Sequence, residues 1–150
     1  MMRRLAIAMG LALLACESAV ESELERDLWE GLAIDDYEFV YTVACFCVFV
    51  GPNPAKLTVR DGVVVKVEAA GPTPFPGTIP PAAGYPTVDT LFAIIERAKR
   101  EDPDVLTVEY DPTYHFPSVI ALDPVEGVAD DEIAYRIEQF EPLVTTASRR

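Results

Sequence analysis

The chain has 150 residues, half of them hydrophobic, and carries 25 Asp and Glu against 12 Lys and Arg, a formal charge of −13. That apolar fraction excludes a disordered chain, and the length suits one domain with its own core. The acidic balance excludes nucleic-acid phosphates and anionic headgroups as partners and leaves a cationic one allowed.

The first segment is Met1-Met2-Arg3-Arg4 followed by eleven residues, Leu5 to Ala15, that are apolar or small, and then Cys16. Two arginines, a short greasy run and a small residue before the break have the proportions of a secretory signal peptide. Eleven residues are too few to span a bilayer. The ending Leu13-Leu14-Ala15-Cys16 resembles the lipobox of bacterial lipoproteins, in which the cysteine is acylated and becomes the new amino terminus. The resemblance implies that residues 1–15 are removed and that Cys16 carries the lipid, with the domain in the bacterial cell envelope. The alternative is an ordinary cleaved signal peptide with Cys16 near the cut. Loss of Arg3 and Arg4 leaves ten of the twelve Lys and Arg against 25 Asp and Glu, so the mature charge is −15.

Residues 16–150 are then expected to form a single α+β domain. Glu17 to Gly31 reads as a first helix: Val20, Leu24 and Leu28 recur at i, i+4 and i+8 with Trp29 beside them. Tyr37 to Phe49 reads as a long strand whose odd positions, from Tyr37 through Cys45 and Cys47 to Phe49, face the core. A hairpin follows around Asp61-Gly62. Side-chain parity predicts a three-residue loop, Arg60-Asp61-Gly62, pairing Val59 with Val63 and Leu57 with Val65. Residues 70–86 hold six prolines and three glycines and read as an irregular connection. Thr87 caps a second helix with a Val88, Leu91, Phe92, Ile95 and Ala98 stripe, ended by Pro103. Strands are predicted at Val105–Asp111, Ser118–Asp123 and Glu132–Phe140. The order αβββ-αβββ predicts an antiparallel sheet of about six strands with both helices on one face, and the repeat points to an ancient duplication.

Three constellations bear on chemistry. Cys45 and Cys47, two residues apart on a strand, have Cα atoms about 6.6 Å apart, near the upper limit for a disulfide unless the strand kinks. A disulfide, two buried thiols, and redox exchange or a soft metal such as Cu(I) all remain open for the pair. Tyr110 to Pro117 reads as a stiff turn in which Asp111 bonds its own backbone, with Tyr114, His115 and Phe116 as a candidate exposed contact patch. Asp123, Glu126 and Asp130-Asp131-Glu132 lack EF-hand spacing and read as solvated turn rather than a metal site. No G-x-S-x-G, H-E-x-x-H, P-loop or C-x-x-C motif is present, so no catalytic residue, metal or cofactor is assigned.

Trp29, the Tyr-x-Phe-x-Tyr run at 37–41, Cys45-Phe46-Cys47, the Asp61-Gly62 hairpin, Leu91-Phe92, Tyr110-Asp111-Pro112-Thr113-Tyr114 with Phe116-Pro117, and Asp130-Asp131-Glu132 occur in that order. Together they resemble an uncharacterised family of bacterial lipoproteins known as a domain of unknown function, over about Leu28 to Leu143. Glycine is usual in that family's pattern where this chain has His115. The resemblance implies the location and the one-domain reading, and no activity. The expected function is a membrane-tethered, non-enzymatic interaction or accessory module, anchored through Cys16 and docking an unknown envelope protein. The alternative is a thiol-based redox or soft-metal-handling lipoprotein using Cys45 and Cys47.

Overall fold

The computed structural model describes residues 21–47, 51–72, 82–125, 127–128 and 130–143. The signal segment, Cys16, Val20, Phe49, Glu126 and most of the Pro-rich connection lie outside them. Helix α1 covers residues 21–31. Strands β1 (Tyr37–Cys45), β2 (Ala55–Arg60) and β3 (Val63–Ala69) follow, then a 3-10 turn at Ala82–Gly84, helix α2 (Val88–Glu101), and strands β4 (Val105–Tyr110), β5 (Pro117–Asp123) and β6 (Ile133–Pro142). The predicted αβββ-αβββ order and α+β class are the ones observed.

All six strands form one antiparallel sheet in the order β3-β2-β1-β6-β5-β4. The two halves therefore meet at the β1–β6 pair. A two-fold normal to this sheet would exchange β1 with β6 and β3 with β4, matching strand positions in reversed chain order. The repeat lies in element order and not in placement.

Alternation decides which face is buried. Tyr37, Phe39, Tyr41 and Val43 of β1, Ala55, Leu57 and Val59 of β2, Ile120 of β5 and Ile137 of β6 join Trp29 and the α2 stripe in one core. Thr87 accepts a hydrogen bond from the Thr90 N–H at the start of α2, and left-handed Asp102 donates its N–H to the Ala98 carbonyl at the end. No described helix is long and apolar enough to cross a membrane.

Helix α1 packs by a different face from the one its leucines predict. Ser22 and Trp29 are buried and Glu25 and Arg26 half-buried, whereas Leu24 is 55% exposed and Leu28 and Leu32 also face solvent. The inward face is fixed by specific partners. Trp29 meets Tyr37, Phe116 and Phe140 edge-on and donates Nε1–H to Asp89, while Arg26 reaches Glu96 and Lys99 reaches Ser22 across the helix pair.

The β2–β3 hairpin also departs from expectation. Arg60 pairs with Val63, so the loop is the two residues Asp61-Gly62, both at positive φ (49° and 70°) as a type I′ turn requires. The parity problem is solved by a bulge: Val59 faces Val64 and Leu57 faces Val67, leaving Val65 over. Val64 and Val67 point into the core; Val63 and Val65 point out.

Candidate functional site

Strand β1 outruns β2. The last β1–β2 pair is Tyr41 with Ala55, and beyond it the Asn53 side chain takes the place of a strand. Its Oδ1 accepts from the Val43 N–H at 3.0 Å and its Nδ2 donates to the Val43 carbonyl at 2.6 Å. On the other side β6 follows β1 to its end, pairing Val43 with Tyr135, Ala44 with Ala134 and Cys45 with Ile133. The strand then stops, earlier than the alternating pattern to Phe49 predicts.

It stops because the chain turns. Cys45 and Cys47 are joined by a disulfide with Cα atoms 5.2 Å apart, closer than an extended strand permits. Of the states left open by the sequence, the structure holds the bridged one. Cys47 is exposed rather than on the core face, and Phe46, held between the cysteines, is 79% exposed. So bonded, the two sulfurs offer no thiolate to a soft metal.

Beside this turn, on the face of the sheet away from the helices, lies a groove of about 390 Å³. Its floor is made of small residues in register: Ala44 on β1 faces Ala134 on β6, which faces Ala121 on β5. Phe46 and the exposed Val105 on β4 wall its two sides, and Asp123 and Glu132 stand at its rim. Burial, then the nearby carboxylates of Asp131 and Glu132, push the Asp123 carboxyl above its usual range. Oδ1 of Asp123 and Oδ1 of Asp131 are both buried without a hydrogen-bond partner among the described residues.

The Tyr110–Pro117 turn sits at the opposite end of the sheet. Its Asx geometry is as predicted: Asp111 Oδ1 accepts from the Thr113 and Tyr114 N–H groups at 2.9 and 2.7 Å. The expected contact patch is corrected. Phe116 is 2% exposed, Tyr114 tilts against Phe140, and His115 Nδ1 lies 2.9 Å from Glu25 of α1. Trp29 and Phe140 gather Phe116 and Tyr114 into the core, while His115, 28% exposed, stays at the surface against Glu25. His115 takes φ 63°, a conformation natural to glycine.

Residues 21–142 match a Family of unknown function (DUF6174). The chain belongs to it. No curated protein and no solved structure matches. In this DUF6174 chain, no group of three or more His, Cys, Asp or Glu is placed to hold a metal among the described residues. The groove itself is the feature that sequence reasoning missed. Its linear trace is a single alanine on each of three strands that become neighbours through the fold: Ala44, Ala121 and Ala134.

Proposed function

We propose that this DUF6174 domain is a lipid-anchored module of the bacterial cell envelope that docks another envelope protein through the groove beside Cys45-Phe46-Cys47. The observation that carries the reading is Phe46, a large apolar side chain displayed at 79% exposure on a cross-linked turn above an apolar floor. The disulfide restrains the backbone on either side of Phe46, and the exposed ring offers a large apolar area to bury, both properties of interface anchors. The anchor rests on the sequence: a signal-like segment ending at Cys16, only five residues before the described part of α1, would hold the domain within about 20 Å of the bilayer surface.

Palmitate labelling and fractionation test the anchor. The expected result is a labelled, membrane-associated chain and an unlabelled, released Cys16→Ser variant; full-length protein in the cytosol overturns it. A photo-crosslinking residue at position 46 tests the docking. One discrete adduct at 46 and none at 63, exposed on the sheet's far edge, is expected; equal adducts at both overturn it.

The exposed Cys47 favours a second reading, dithiol–disulfide exchange, in which a dithiol would supply two electrons and two protons to the Cys45–Cys47 bridge. Counting thiols before and after graded dithiothreitol, with a Cu(I) titration of the reduced form, decides it. A bridge that resists reduction, with no metal uptake, removes the reading.

A further inference from the structure

The reading of the groove as a docking site leaves the chemistry of the occupant open, and the groove's surroundings specify it. The sheet face that carries the groove is divided by charge. Toward β2 and β3 its cations are engaged: Lys56 with Glu38 at 2.7 Å, Arg60 with Asp36 at 3.0 Å and Lys66 with Glu68 at 2.9 Å, while Arg136 of β6, exposed on the same face, stands two residues past Ala134 on the side away from Glu132. Toward the Leu122–Ile133 end of the β5–β6 pair the rim is acidic, with Asp123 closing β5, Glu132 just before β6 and Asp131 next to it in the chain. The Asp123 carboxylate accepts from the Val125 N–H, and its Oδ1 lacks a donor among the described residues. Between the rim and the Phe46 and Val105 walls the floor carries the small side chains of Ala44, Ala121 and Ala134, with Cys45, Leu122 and Ile133 also lining it, and leaves room for an incoming side chain to lie flat.

We infer that the groove takes an extended peptide segment of a partner protein in which an arginine or lysine stands beside aliphatic side chains. The aliphatic groups cover Ala44, Ala121 and Ala134 against Phe46, and the cation meets the Asp123–Glu132 rim. Such a segment fits both halves of the site, since a basic side chain lays its methylene stem on apolar surface and keeps its charged head at the edge. An acidic or neutral apolar segment matches the floor alone and leaves the rim uncompensated.

This inference rests on the docking reading, and the experiment separates the two. The full acylated chain is held in phosphatidylcholine nanodiscs and titrated with three fluorescent peptides of equal length: alternating leucine and arginine, leucine and glutamate, and leucine and serine. The leucine–arginine peptide is expected to bind, and its affinity to fall as salt rises. Phe46→Ala, and separately Asp123→Asn with Glu132→Gln, should each weaken it about tenfold or more. Glu23→Gln with Asp27→Asn, which removes equal charge from the outer face of α1, should leave it unchanged. Circular dichroism of each variant establishes that it is folded.

Equal binding of all three peptides overturns the inference in favour of an apolar occupant. Equal loss in the α1 charge variant reduces the binding to general attraction by an acidic surface and also overturns it. So does a dimer–monomer shift on Phe46→Ala, since the occupant is then a second copy. If the peptide binds as expected but no adduct forms at position 46 in cells, the groove chemistry stands and the docking reading fails. If the adduct forms and the leucine–arginine peptide does not bind, the docking reading stands and the inference fails.

Discussion

Trp29 joins both helices to the aromatic part of the core. It is 4% exposed, meets three aromatic rings edge-on, and ties the end of α1 to the first turn of α2 through Asp89. Trp29→Ala should lower stability by about 3–5 kcal/mol, read as a shift in urea midpoint at unchanged slope. Leu24→Ser and Leu28→Ser, on the same helix, should each stay within about 0.5 kcal/mol because both side chains face solvent. If the leucine variants cost more than Trp29→Ala, the orientation of α1 is wrong. His115 offers a finer test. It holds a left-handed conformation while pairing with Glu25. Alanine there keeps the backbone strain and loses the pair, whereas glycine loses the pair and the strain together. His115→Gly should therefore be more stable than His115→Ala by about 1 kcal/mol in thermal unfolding. The reverse order would mean that φ at 115 is not positive.

Among the elements, bulges change which side chains of the strands face inward, at three described register shifts; the one between β4 and β5 pairs Tyr110 with Pro117. In β3 the spare residue at Val65 turns Val64 and Val67 to the core. In β6 the pairing slips between Glu141 and Glu138, Gln139 takes φ 53°, and Phe140 follows Ile137 into the aromatic cluster at a spacing of three. The hairpin is further clamped from outside the pair. Asp36 accepts from the Asp61 N–H and from Arg60, each at 3.0 Å, and its carbonyl takes the Leu143 N–H. Asp36→Ala should cost about 1–3 kcal/mol, and a native-state hydrogen-exchange map should show the loss concentrated in the β2–β3 turn. Uniform loss across the sheet would contradict the clamp.

These elements show what a linear reading reaches. Period-two alternation in β1 and β6 and the capped stripe of α2 were legible because each element's own side chains decide its buried face. The α1 orientation was not. Leucines at i, i+4, i+8 and the set Ser22, Glu25, Arg26, Trp29 both follow helical spacing, and the choice is made by partners sixty or more residues away. Bulges also escape a parity argument, because one extra residue resets the alternation on which the argument rests. The Cys45–Cys47 pair was located, but the exposure of Phe46 depends on where β1 ends.

At the scale of the molecule, the core of this acidic domain is rich in tyrosine, and that sets its response to alkali. Burial is the first cause pushing the Tyr37, Tyr41, Tyr85, Tyr110 and Tyr135 hydroxyls above their ordinary range. Tyr110, near Glu21 and Glu25, is pushed up to about 12. Between the unfolded value near 10 and the raised folded value, the native chain holds protons that the unfolded chain has released. Stability must therefore fall as pH rises through that interval, with each such tyrosine steepening the slope by at most about 1.4 kcal/mol per pH unit. The opposite end of the scale has a smaller counterpart. Lys56 and then Thr58 hold the Glu38 carboxyl below its usual range, so its contribution is present above the ordinary glutamate value and fades as pH drops through the lowered one. Urea unfolding measured from pH 8 to about 12 should show a steep alkaline loss accompanied by late tyrosinate absorbance. Tyr110→Phe and Tyr41→Phe should flatten that loss because neither variant has the hydroxyl that titrates. An alkaline limb unchanged in both variants would place the titrating groups elsewhere, on the acidic surface or the lysines, and would remove the buried tyrosines as its cause.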